Sequence, residues 1–92
     1  MNERLKPGDI VTHFKYYYIS NKDKLKNKYL YKIIAFGTHT ETDEKMVIYQ
    51  ALYGDFDIWI RPYTMFMGEV DKNKYPNAKQ KYRFEKFAPT KM

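Results

Sequence analysis

Short runs of β-branched and aromatic residues, separated by polar turn signals, predict an all-β chain. The runs that predict strands lie at 10–19, 29–36, 46–53, 56–61 and 82–87, with a very short sixth at 69–70. Pro62 ends the fourth run because proline cannot donate to a sheet ladder, and it predicts one short helical turn after it. We therefore expect a small twisted barrel of five or six short antiparallel strands.

The third and fourth runs predict a β-hairpin whose two faces differ in chemistry. Gly54–Asp55 is a two-residue turn signal, and a turn there sets Gln50 opposite Trp59. One face then groups Gln50, Trp59 and Arg61, whereas the face that carries Tyr49 is apolar. An alternative fits equally well: Trp59 packs under a neighbouring strand and Arg61 forms a salt bridge at the rim.

The length and composition indicate one small domain, residues 1–92. Its core must be built from large side chains, which the aromatic content of 18% supplies. The lack of cysteine excludes disulfides, thiolate metal sites and cysteine nucleophiles, and fits a reducing cytoplasm. Neither a membrane-spanning run, which needs roughly 18 apolar residues, nor a signal peptide is apparent. We expect a cytoplasmic protein without a membrane partner.

A formal net charge of +6 favours anionic partners but names none, and much of it fits a solubilising surface. Part of this charge forms what we call the lysine comb: Lys22, Lys24, Lys26 and Lys28. In an extended hairpin these ammonium groups would project from one side, whereas in a loop their spacing would have no meaning. The hairpin extension is the favoured prediction.

Catalytic and metal chemistry have little support in the sequence. His13, His39 and Glu41 could supply a set of zinc ligands, although nothing in their spacing requires it. The segment 38–44 combines a histidine with carboxylates, but a polar turn explains that composition. Glycine-rich phosphate loops, nucleophile elbows and paired helix carboxylates are not recognisable. We expect no enzymatic activity, no metal and no cofactor.

Binding of a small anionic ligand is better supported. Arg61 offers a planar fork for phosphate, Trp59 a stacking surface, Gln50 an amide and Lys15 a further charge. These residues predict a non-enzymatic module that senses, carries or sequesters a phosphorylated, base-containing ligand of the nucleotide type. The alternatives are a single-stranded nucleic-acid-binding module, which would use the lysine comb, and a protein-protein interaction domain. A homo-oligomer is compatible with each.

Several short motifs resemble a small bacterial and phage family of domains of unknown function. They are His13-Phe14-Lys15, Tyr31, Glu41-Thr42, Met46-Val47-x-Tyr49, Leu52-Tyr53-Gly54, Trp59-x-Arg61-Pro62, Met65-Phe66 and Arg83-Phe84-Glu85. The resemblance covers about residues 7 to 87 and implies a compact barrel of the Src-homology-3 type with no established activity. Together with Gln50, the motif residues that we predict to bind ligand are His13, Lys15, Glu41, Thr42, Tyr53, Trp59, Arg61 and Arg83.

The chain departs from the family pattern in two places. The segment from about 17 to 28 is an insertion where the family has a short glycine-containing turn, and Tyr82 stands where a proline usually precedes Arg83. The insertion contains the lysine comb, so any role of the comb would be special to this protein.

Overall fold

The computed structural model describes residues 4–87. Its strands pair antiparallel in one five-stranded sheet of order β4-β3-β2-β1-β5. The elements in chain order are β1 (Ile10–His13), a 3-10 helix (Phe14–Tyr18), α1 (Asn21–Leu25), β2 (Leu30–Thr38), β3 (Lys45–Ala51), β4 (Ile58–Pro62), α2 (Tyr63–Phe66) and β5 (Phe84–Lys86).

The predicted all-β fold is confirmed, with the short helical turn directly after Pro62. The sixth predicted strand is reduced to a single bridge between Glu69 and Tyr82. Over the described residues the sheet is not closed into a barrel, because β4 and β5 lie at its two edges. In this respect the structure differs from the predicted architecture.

The core lies on one side of the sheet, which we call the inner face. Alternate residues of β3 are buried there, with Val47 fully buried and Tyr49 4% exposed. Phe66 of α2 and Phe84 of β5 cover this face, and their rings stack with centroids 4.1 Å apart and an interplanar angle of 4°. The large aromatic side chains therefore fill a core that this short chain could not otherwise build.

A β-bulge in β2 shapes the inner face. The register with β3 shifts between Ile33 and Ala35, so the intervening Ile34 has no partner and is exposed. Such an extra residue bends the strand and reverses the alternation of side chains. Ile33 before the bulge and Phe36 after it consequently both pack on the core.

Two predictions for the segment 10–29 are wrong. The first strand ends at His13, and the chain continues as the 3-10 helix instead of running extended to residue 19. The lysine comb begins in α1 and continues into the turn after it, and so does not extend a hairpin. Helical residues two apart point in different directions, so these lysines do not form one row. No helix in residues 4–87 has the length and apolar character needed to cross a membrane.

Candidate ligand-binding groove

The register of the β3–β4 hairpin places Trp59 and Arg61 on the inner face. Trp59 pairs with Tyr49, and Arg61 pairs with Val47, so these side chains project to the same side as the core. The predicted register, with Gln50 opposite Trp59, is wrong by one residue, and the side-chain alternation between the strands is reversed. Gln50 pairs instead with Ile58 on the opposite, outer face.

The cause of this shift is the connection between β3 and β4. The chain does not turn tightly at Gly54–Asp55 but uses residues 52–57, with Gly54 and Phe56 both in the left-handed region at φ near 60°. The Ala51 N–H donates to the Asp57 carbonyl at 2.9 Å and closes this longer loop. The amide of Gln50 donates to the Phe56 carbonyl at 3.0 Å, so Gln50 supports the loop and does not share a face with Trp59 and Arg61.

Trp59 opens onto a depression of about 200 Å³, which we call the Trp59 depression. It is lined by Tyr31, Tyr49, Tyr53, Trp59 and Arg61. The Tyr31 and Tyr53 hydroxyls are hydrogen-bonded at 2.8 Å. Burial is the main cause that raises the pKa of Tyr31, and this hydrogen bond is the second. Trp59 is 51% exposed and is therefore not packed in the core. This exposure argues against the alternative that Trp59 packs under a neighbouring strand. The depression combines a half-exposed indole with phenol side chains.

Arg61 also lines a second depression, of about 260 Å³, in which cationic side chains converge. We call it the basic depression. Its cations are Lys15, Arg61, Lys74 and Arg83, and its carboxylate is Asp71. Within residues 4–87 the guanidinium groups of Arg61 and Arg83 form no ion pair and donate no side-chain hydrogen bond. The rim salt bridge considered for Arg61 is not formed in this part of the chain, and its Cζ instead lies 5.8 Å from the Phe84 ring centroid.

His13, the last residue of β1, lines the basic depression. Its Nδ1 accepts the Lys15 N–H at 3.1 Å, which caps the 3-10 helix. Burial, and after it the charges of Lys15, Arg61 and Arg83, lower the pKa of His13 from 6.5 to about 4. The ring is therefore neutral at physiological pH, with its proton assigned to Nε2 because Nδ1 is an acceptor. This N–H is a further donor beside the cations.

A third depression of about 320 Å³ adjoins the basic depression, and we call it the Tyr75 depression. Its lining consists of Lys15, Tyr18, Ile19, Tyr29 and Tyr75. Lys15 and Tyr75 also line the basic depression. Tyr29 of the Tyr75 depression contacts Tyr53 of the Trp59 depression, with ring centroids 6.2 Å apart. Arg61 lines both the basic depression and the Trp59 depression, so the three depressions adjoin one another, and we call them together the groove.

Residues 10–86 match a family model described as a protein of unknown function, DUF1653. The chain belongs to this family. The DUF1653 match runs from the start of β1 to the end of β5 and so includes every residue that lines the groove. The resemblance to an uncharacterised family is thereby confirmed. Comparisons with curated proteins and with solved structures find no match.

The DUF1653 fold brings most of the predicted ligand-binding residues together. Those that line the groove are His13, Lys15, Tyr53, Trp59, Arg61 and Arg83. Glu41 and Thr42 are exposed in the β2–β3 turn, where their N–H groups donate to Nδ1 of His39 at 3.2 and 3.4 Å. Among residues 4–87 no group of histidine and carboxylate side chains is arranged to hold a metal ion, so His13, His39 and Glu41 do not form one.

Sequence reasoning missed several groove residues of this DUF1653 protein: Tyr18, Tyr29, Tyr31, Tyr49, Lys74 and Tyr75. Two signals were present. Tyr29 and Tyr31 are two residues apart, as side chains on one face of an extended segment would be, and Tyr75 is a lone aromatic in a polar loop. Neither signal identifies a ligand surface until the fold sets these segments side by side.

Proposed function

We propose that this DUF1653 protein is a non-enzymatic binding module for a small phosphorylated, base-containing ligand of the nucleotide type. It senses, carries or sequesters that ligand, and the lack of cysteine favours the cytoplasm as its location. The observation that carries the proposal is the position of Arg61 in both the Trp59 depression and the basic depression. A single ligand at Arg61 has an aromatic face on one side and cations on the other.

The strand geometry of β4 supports simultaneous contact with a base and a phosphate. Trp59 and Arg61 are two residues apart in a strand, so their side chains project from one face about 7 Å apart along it. The indole offers a stacking surface for a base, and the guanidinium offers paired N–H donors for a phosphate. The two groups that define a nucleotide thus meet two neighbouring side chains.

Electrostatics support an anion in the basic depression. Its cationic side chains outnumber its carboxylates, and the guanidinium groups of Arg61 and Arg83 have no anionic partner within residues 4–87. Converging donors without a partner are well suited to a charge-assisted hydrogen-bond network. The neutral His13 ring adds an N–H donor without adding charge.

The experiment is calorimetric titration of wild type and Arg61→Lys with adenine and guanine nucleotides. An ammonium keeps the charge but cannot reproduce the fork, and charge-assisted hydrogen bonds contribute roughly 1.5 to 3 kcal/mol each. We expect affinity to fall by at least about tenfold with an unchanged melting temperature. The control is Arg4→Lys outside the groove, where Arg4 donates to the Phe84 carbonyl at 2.7 Å. This control should affect stability and leave affinity intact.

The opposite result for Arg61→Lys would count against the proposal. A large loss of stability with unchanged affinity would remove Arg61 from the site, and with it the connection between the two depressions. Failure of every tested nucleotide to bind the wild type would overturn the proposed ligand class itself.

Single-stranded nucleic acid is a second candidate, and one contact favours it. Lys28 Nζ, at the end of the lysine comb, lies 5.5 Å from the Tyr29 ring centroid, beside the Tyr75 depression. Replacing the comb lysines with glutamine tests this candidate. A strand bound along the comb should lose affinity, and its log-log salt slope should change by about 0.7 per lost phosphate contact. A nucleotide in the groove should bind the variant with nearly wild-type affinity.

A further inference from the structure

The groove has two aromatic compartments, whereas a single nucleotide needs one. The Tyr75 depression and the Trp59 depression each present aromatic rings, and each borders the basic depression. Lys15 and Tyr75 form the first border and Arg61 forms the second. A base at Trp59 with its phosphate at Arg61 leaves the Tyr75 depression without an occupant.

The exposure of the rings is similar in the two compartments. Tyr18 in the Tyr75 depression and Trp59 in the Trp59 depression are both 51% exposed. Exposed aromatic side chains beside cationic ones are platforms on which bases stack in a sequence-tolerant way. Both compartments therefore offer a base the same kind of contact.

The size of the groove also exceeds what a single small group would need. The depressions have volumes of about 320, 260 and 200 Å³, so each alone lies near or below the lower limit of small-molecule sites, about 300 Å³. Lys15 and Tyr75 line the first two depressions and Arg61 lines the last two, so a ligand larger than one nucleotide can contact all three. The basic depression, between the other two, has several cationic side chains and the single carboxylate of Asp71 in its lining. This excess of positive charge favours a ligand with more than one phosphate charge at that position.

On the basis of the proposed function, we infer that the ligand is a dinucleotide: two bases joined through phosphate. One base occupies the Trp59 depression, the second occupies the Tyr75 depression, and the phosphate bridge lies over the basic depression between Lys15 and Arg61. Linear and cyclic dinucleotides share this chemistry. The Tyr29–Tyr53 ring contact sets the two base compartments side by side, so the bridge between the bases must fold back on itself.

The test compares one-base and two-base probes on the same protein by calorimetry. The one-base probes are ADP and GDP; the two-base probes are the diadenosine and diguanosine polyphosphates and the cyclic dinucleotides of adenine and guanine. We expect at least one two-base probe to bind about tenfold or more tightly than the matching one-base probe, because the second stacked base adds its own contact. Comparison of the linear and cyclic probes identifies which form the groove prefers.

Alanine variants separate the two compartments. Trp59→Ala and Tyr18→Ala should each weaken the two-base probe by about 5- to 100-fold, the range expected for one stacked base. Trp59→Phe and Tyr18→Phe keep a ring and should retain most of the affinity. The matched control is Tyr17→Ala, since Tyr17 is 44% exposed and contacts Tyr16 outside the groove. Thermal unfolding of each variant verifies that it folds.

The possible failures are distinguishable. Equal affinity for one-base and two-base probes, with only one of the two alanine variants weakened, would overturn the dinucleotide inference and leave the proposed function standing. No binding of any of these probes would overturn both. Oligonucleotides of increasing length are titrated beside these probes, and an affinity that increases with strand length would also overturn both, in favour of single-stranded nucleic acid.

Discussion

Acidification is expected to destabilise this protein through one residue, His13. Its ring lies against the rings of Phe14, Tyr29 and Phe84, with centroid distances of 4.6, 5.5 and 5.1 Å. Burial and the neighbouring cations lower its pKa from 6.5 to about 4. The unfolded chain therefore takes up this proton near pH 6.5 and the folded chain only near pH 4. The stability that the neutral ring contributes is complete above pH 6.5 and is lost as the pH falls towards 4.

The size of this effect follows from the two pKa values. They differ by about 2.5, and one pH unit corresponds to about 1.4 kcal/mol for one proton. Since the ring is partly exposed, we expect a loss of roughly 2 to 3 kcal/mol between about pH 7 and pH 4, after the contribution of the carboxylates is subtracted. That is a substantial fraction of the stability of a small domain.

The assay is urea unfolding across this pH range for wild type and His13→Asn, followed by circular dichroism. Asparagine can accept the Lys15 N–H at the same capping position but does not titrate. The carboxylates are common to both proteins, so subtracting one pH profile from the other isolates His13. His39→Asn, at an exposed position in the β2–β3 turn, is the matched control for replacing a histidine outside the core. Identical profiles for wild type and His13→Asn would refute the reasoning.

Three further predictions concern the packing around the groove, each measured as the free energy of unfolding in urea. Tyr53→Phe removes the hydroxyl bonded to Tyr31 and should cost about 1 kcal/mol; no change would mean that water replaces this partner. Gln80→Leu removes a buried amide that donates to two backbone carbonyls and should cost about 1 to 3 kcal/mol. Phe84→Ala opens a cavity against Phe66 and should cost about 3 to 5 kcal/mol, and near-native stability would contradict this stacked core.

The strands were predictable because their residues are β-branched and aromatic over runs long enough to stand out. What the local pattern could not predict was the pairing between two strands. Phe56 adopts a positive φ of 58°, which nothing in its own chemistry favours, and the β3–β4 register depends on it. The predicted pairing of Gln50 with Trp59 on one face was therefore wrong. The prediction that Trp59 and Arg61 share a face was correct, because residues two apart in one strand project to the same side in any register.

The short helix α1 was missed although the sequence contains a signal for it. Ser20 is followed three residues later by Asp23, a spacing typical of a helix N-terminus, and the Ser20 side chain accepts the Asp23 N–H at 3.2 Å. The alternating lysines in the same segment are equally typical of an extended strand. The Tyr75 depression could not be predicted for another reason, since it joins the 3-10 helix to a loop far along the chain and depends on the tertiary fold.

The location of β4 at the sheet edge has a consequence for how the protein behaves in concentrated solution. Ile58 and Ile60 are 61% and 63% exposed on its outer side, and β4 has no further strand beyond it within residues 4–87; such an edge with apolar side chains is a template for pairing between copies. The net charge of +6 opposes such encounters, but this repulsion weakens as salt screens it. Colloidal stability should therefore decrease as ionic strength rises, and mutations that improve it belong at Ile58 and Ile60, on the outer face of the same strand that presents Trp59 and Arg61 on its inner face.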